Sequence, residues 1–144
     1  MQPMEHLTHL IQQRPLIALH LGAAMLALVV GGVVMARRKG TINHKRLGWF
    51  WVALMTAVAV TSVFIRDHGM PNIAGYTPIH ALTLFALVSL PRGIHHIRQG
   101  NVAAHRGLMK GLFIGGCIVA GLFTLVPGRI LGDLLWKQAL GLVH

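Results

Sequence analysis

His20, Gly40 and His44 return in the second half of the chain as His80, Gly100 and His105, at offsets of 60, 60 and 61 residues. Each copy places a histidine near the start of an apolar run, a basic turn after that run, and a second histidine at the start of the next run. The surrounding Leu, Val and Ala differ between the copies, so the repeat is organised around the imidazoles and the turn glycines. Imidazole ligates transition metals and carries protons near neutrality. Duplicated imidazoles at matched positions point to coordination.

Four apolar runs must carry these histidines: Pro15 to Ala36, Leu47 to Ile65, Thr77 to Ile94 and Gly107 to Val126. Each is near the roughly 20 residues that a membrane-spanning helix needs. The chain has 144 residues, of which 54% are hydrophobic, and only three carboxylates face thirteen Lys and Arg. A soluble domain of that composition would be short of polar surface. The third run carries Pro91 and Arg92 at its end, which a membrane helix terminus tolerates.

The net charge of +10 follows membrane topology. Arg37, Arg38, Lys39, Lys45 and Arg46 sit between the first two runs, and Arg92, Arg98, Arg106 and Lys110 flank the turn between the last two. All three acids, Glu5, Asp67 and Asp133, fall in the tails and the central connection. The positive-inside rule then puts both basic turns in the cytoplasm and both termini outside, in a multi-pass membrane protein. No basic, aromatic-interleaved soluble face remains for nucleic acid. The N-terminus lacks a cationic n-region and the first run ends in ARRKG, so the first run reads as an uncleaved helix.

These signals predict an all-α integral membrane protein: a four-helix up-down bundle made of two tandem helical hairpins, plus a short C-terminal interfacial helix. The hairpins span about residues 15–66 and 76–127. Gly40 and Gly100 read as left-handed helix caps, with Thr41 or Asn43 and Asn101 capping the helices that follow. The tail at 129–143 is amphipathic, with Ile130, Leu131, Leu134, Leu135 and Trp136 beside Asp133, Lys137 and Gln138, and reads as lying on the membrane surface. Cys117 is the one cysteine, which excludes an intrachain disulfide and a CxxC motif.

In such a bundle the first and third helices are diagonal, as are the second and fourth. His20 and His80 lie near the outer ends of their helices, and His44 and His105 open the inner ends of theirs. The expectation is two imidazole pairs, one per leaflet. A porphyrin iron held by two axial histidines needs such a pair, flat space between the helices, and a partner for each second ring nitrogen. Ala24, Ala27 and Gly31 follow His20 along one face, and Gly107, Gly111 and Gly115 form a small-residue stripe that equally reads as close helix packing. At about 1.5 Å per residue the layers are roughly 20 to 25 Å apart. Arg38, Lys45, Arg46 and Arg106 are placed to meet haem propionates at the inner layer. His6, His9, His68 and His144 break the symmetry and read as solvated, while His95 and His96 lack counterparts in the first half.

The segments HLGA at His20, RRKGTINHKRLGWFWV from Arg37, IHALTLF at Ile79, AHRGLMKG at Ala104 and TLVPGR at Thr124 resemble a family of small bacterial membrane proteins known only as a domain of unknown function. The resemblance runs from about Leu16 to Arg129 and brings no established activity. The histidine arrangement is also similar to the core of the di-haem transmembrane cytochromes b of the ascorbate-reducible and ferric-reductase type. That resemblance implies one or two haem b groups, with His20 and His80 on one iron and His44 and His105 on the other. In two respects this chain departs from that pattern: its histidines lie nearer the helix ends, and it has no flanking helices.

The leading expectation is therefore a b-type cytochrome that carries electrons within or across the membrane, taking them from a quinol or another redox protein. A second uses the same imidazoles to move transition-metal ions or protons, although no carboxylate lies in a spanning run and Thr56, Thr61, Ser62 and Thr83 supply the other polar groups. A third is an accessory or assembly subunit, packing as a homo-oligomer or within a larger membrane complex. Hydrolytic signatures such as GxSxG and HExxH are absent.

Overall fold

In a computed structural model, residues 14–65 and 79–126 are described, together with positions 8, 12, 73, 132, 136 and 141. Four helices make up the two long segments: α1 (Pro15–Ala36), α2 (Ile42–Phe64), α3 (His80–Arg98) and α4 (Val102–Thr124). The helices α1, α2 and α4 are long and apolar enough to cross a membrane. Helix α3 has 19 residues and ends in the polar sequence HHIR, with an exposed apolar face at Leu84, Phe85, Leu87 and Val88. The chain is an all-α membrane protein.

Helices pair most extensively within each hairpin; α2 then packs on α3, and α4 closes the ring against α1. The core is narrow and filled by Trp51, Met55 and Leu112 with Ala27, Val34, Ala59, Ala86, Leu90, Met109 and Cys117. Large apolar side chains also cover the outside, among them Leu19, Val29, Phe64, Leu84, Ile114 and Leu122. Apolar residues on both the inner and outer faces are what lipid, rather than water, requires of a helix.

The helix boundaries refine the sequence expectations. α1 spans the expected Pro15–Ala36. α2 begins five residues earlier than its apolar run because Thr41 caps it, its hydroxyl accepting from His44 N–H at 3.2 Å. That puts His44 in the first helical turn. α3 begins at His80 and runs through Pro91 to Arg98, beyond the expected end at Ile94. α4 begins at Val102, its cap supplied by Asn101 Oδ1 accepting from Ala104 N–H at 3.1 Å.

The two basic turns share a left-handed glycine but close differently. At α3 the Gly100 N–H meets Ile97 O at 3.1 Å and the Asn101 N–H meets His96 O at 2.9 Å, the paired bonds of a Schellman cap on a glycine at φ 76°. Gly40 also has positive φ, 81°, yet α1 stops at Ala36 with Arg37 extended. There the Lys39 ammonium donates to Met35 O, so a side chain satisfies a carbonyl that a glycine cap would otherwise serve. Gly40 is thus a turn residue rather than the expected cap.

In the middle of α4, Phe113–Val119 forms a π-helical segment that contains Gly115, Gly116 and Cys117. Such widened turns disturb the regular placement of side chains. This one brings Cys117 Sγ to 3.7 Å from Met55 Sδ across the core. The amphipathic stretch at 129–143 lies outside the described residues except at positions 132, 136 and 141, where Trp136 Nε1 donates to Leu125 O at 2.8 Å.

Candidate functional site

The hairpin geometry sets which residues meet. Thr61 follows Gly40 by 21 residues and His20 precedes it by 20, so antiparallel packing brings them to one level. His20 Nδ1 lies 2.9 Å from Thr61 Oγ1. The Thr61 hydroxyl hydrogen is directed to its own helix, with Ala57 O at 2.6 Å and Val58 O at 3.1 Å. Threonine therefore accepts and His20 Nδ1–H donates, which leaves Nε2 as the basic nitrogen of the ring.

The next residue of α2 holds the second outer histidine. His80 Nε2 lies 3.2 Å from Ser62 O and 3.1 Å from Ile65 O. Carbonyls only accept, so Nε2 carries the proton. The Ser62 hydroxyl donates to Ala59 O at 2.7 Å, and Thr83 Oγ1, also at 2.7 Å, donates to Ser62 Oγ. His20 and His80 thus bond to consecutive residues and share a level at one end of the bundle. Beside them an open cavity of about 190 Å³ is lined by Val63, His80, Thr83, Leu84 and Leu87.

At the opposite end, His105 Nδ1 donates to Gly93 O at 2.9 Å, again leaving Nε2 basic. Gly93 packs against Met109, whose terminal methyl would have to move to admit a Cβ there. His44 lies close enough to His105 and Lys39 for their charges to interact. Its Nδ1 is buried and, among the described residues, is the one buried side-chain nitrogen or oxygen that makes no hydrogen bond of normal geometry, although the Val34 carbonyl lies close enough to act on the ring. His44 and His105 thus lie in the first turns of diagonal helices, at the same end of the bundle.

Other expectations resolve differently. Ala27 and Gly31 do not frame open space: Trp51 Nε1 donates to Ala27 O at 3.0 Å, and a Cβ on Gly31 would lie 2.5 Å from Trp51 Nε1 and 2.7 Å from the Phe113 ring. Gly111 and Gly115 admit Phe85 and Leu82 of α3, which is close helix packing, while Gly107 has no such neighbour. Arg38, Lys45, Arg46 and Arg106 are exposed at the basic end. His95 and His96 occupy the last turn of α3, with ring centroids 6.1 Å apart. His6, His9, His68 and His144 lie outside the described residues.

Sequence reading missed Thr61 as the partner of His20 and Gly93 as the partner of His105. Thr61 was open to inference, because distance from the turn glycine sets the level; the Gly93 carbonyl was not, because it depends on how closely α4 approaches α3.

The donor chemistry suits axial ligation unevenly. His20 and His105 each have Nδ1 tied to an acceptor and Nε2 basic, the state in which a ligating imidazole is usually held. His44 adds a buried unpaired nitrogen beside His105. At His80 the proton sits on Nε2, so that nitrogen binds a metal only after leaving its carbonyls. Among the described residues no group of three or more His, Cys, Asp or Glu gathers to hold a bare metal ion.

A family model described as "Predicted membrane protein (DUF2306)" matches residues 17–117. No curated protein matches the chain, and no solved structure does.

Proposed function

The chain belongs to the DUF2306 family of predicted membrane proteins, and from that premise we propose that it is a small b-type electron carrier whose two imidazole layers hold haem b. Family membership supports the bilayer setting; the reading of activity comes from the histidines. The observation that carries it is the inner pair, in which His105 is oriented by the Gly93 carbonyl and His44 Nδ1 is buried with no hydrogen bond of normal geometry, only the Val34 carbonyl near the ring. An unpaired buried nitrogen is costly unless something binds it.

Bound haem would supply one-electron chemistry. The residues do the rest: His105 and His44 offer nitrogens at the basic end, and His20 offers Nε2 at the other, steadied by Thr61. His80 would complete the outer pair on turning from the Ser62 and Ile65 carbonyls. Trp51, Met55 and Leu112 fill the space between the layers and exclude water from it. In this reading the basic turns face the cytoplasm of a bacterial inner membrane, both termini face outward, and electrons enter from a quinol or a redox protein.

The test is the absorption spectrum of detergent-purified protein expressed with ample haem, air-oxidised and then dithionite-reduced, with haem quantified on the same sample. The reading expects a sharp reduced α-band, with one haem lost in His105→Ala and a separate one in His20→Ala. A folded, colourless protein overturns it.

A further inference from the structure

The end of the bundle that carries the two basic turns has a charge distribution that the four imidazoles leave unexplained. Arg37, Arg38, Lys39, Lys45, Arg46, Arg98 and Arg106 are all exposed there. No carboxylate occurs among the described residues, because the three acids of the chain are at positions 5, 67 and 133. These cations therefore have no counter-charge within the described fold. The orientation rule explains an excess of cations on this side, but it does not explain their duplication.

The cations follow the repeat. Arg38 and Arg98 each precede the left-handed glycine by two residues, and Lys45 and Arg106 each directly follow the inner histidine. The two sets stand at one end of the bundle, since each lies at the turn of one of two antiparallel hairpins packed side by side. Neighbouring helices pack about 8–10 Å apart, so sites at the starts of the diagonal α2 and α4 are roughly 11–14 Å apart. Arginine and lysine side chains from both sides can converge over that distance. Arginine in particular binds phosphate through paired N–H donors.

We propose that this end is a docking surface for an anionic phospholipid carrying two phosphates on one headgroup, of the diphosphatidylglycerol class, with Arg38 and Lys45 meeting one phosphate and Arg98 and Arg106 the other. The surface takes lipid rather than a soluble phosphate because it lies where two membrane helices begin, at headgroup level. The exposed Trp49, one turn beyond Lys45 on α2, is an interfacial anchor.

The test uses the full-length chain in a mild neutral detergent, offered diphosphatidylglycerol, phosphatidylglycerol at twice the molar amount, and phosphatidylcholine, with retained lipid read by native mass spectrometry. One retained diphosphatidylglycerol per chain, preferred over charge-matched phosphatidylglycerol, is the expected result. The double substitution Arg38→Gln/Arg98→Gln should weaken that retention about 25-fold, at about fivefold per cation, while Arg14→Gln at the opposite end leaves it unchanged. Equal retention of the two anionic lipids overturns the paired-phosphate site in favour of a diffuse field. Retention no better than that of phosphatidylcholine, or an equal loss in Arg14→Gln, overturns the docking surface altogether. None of these outcomes depends on haem content.

Discussion

Gly31 shows how one missing methyl group governs this core. The Trp51 indole reaches into the space its side chain would occupy, and Trp51 Nε1 donates to the carbonyl one turn earlier, at Ala27. Gly31→Ala should therefore displace both Trp51 and Phe113 and break a buried hydrogen bond. The expected cost is about 1–3 kcal/mol, read as a lower unfolding temperature in detergent, with the Trp51 emission shifted. An unchanged melting point would mean that the indole does not pack there. The histidines are decided at the same scale. All four proposed ligands were expected to need a second-nitrogen partner, and one of them, His80, proves to use Nε2 for it. If haem binds, the inner site should fill first in a haem titration, because His80 must break two hydrogen bonds before the outer site is complete.

At the scale of the helix, the two turns test whether equivalent sequence gives equivalent energetics. Gly100 belongs to a Schellman cap and Gly40 to a looser turn in which Lys39 serves a carbonyl. Alanine at either position carries the left-handed penalty of about 1–2 kcal/mol, but Gly100→Ala should be the more damaging in a chemical denaturation series, because two backbone bonds depend on that residue. Asn101→Ala should cost about 1 kcal/mol through loss of the α4 cap. The π-helical segment of α4 makes a separate prediction. It turns Cys117 into the core against Met55, so the thiol should resist a maleimide in the folded protein and react on unfolding. Rapid labelling of the native protein would refute that placement.

For the whole molecule, four antiparallel helices put the start of α1 and the end of α4 on one side, opposite the basic turns. In a Cys117→Ala background, a cysteine introduced at Gln99 should be shielded from an impermeant thiol reagent in intact cells, and one in the 66–78 connection should be labelled. The reverse pattern would invert the proposed orientation. The same arrangement explains how 144 residues present two imidazole layers. Each hairpin delivers one histidine to each end, and α4 closes the ring against α1.

Much of this was legible from residue order. The four helices, their antiparallel course and the two histidine levels follow from hydropathy runs separated by short basic turns, because lipid allows a spanning segment little choice but a helix. The level of Thr61 relative to His20 also follows, since both are counted from one turn. What the tertiary structure decided is finer. Glycine and alanine stripes mark where something packs closely, but not what: along α1 it is Trp51 and Phe113 rather than open space. Nor does sequence choose which ring nitrogen a histidine ties down. That choice depends on partners such as the Gly93, Ser62 and Ile65 carbonyls, whose positions follow from how closely the helices approach. The π turn of α4 belongs here too, because a one-residue change in winding leaves composition and hydropathy unaltered. Levels are set along the chain, whereas partners are set across it.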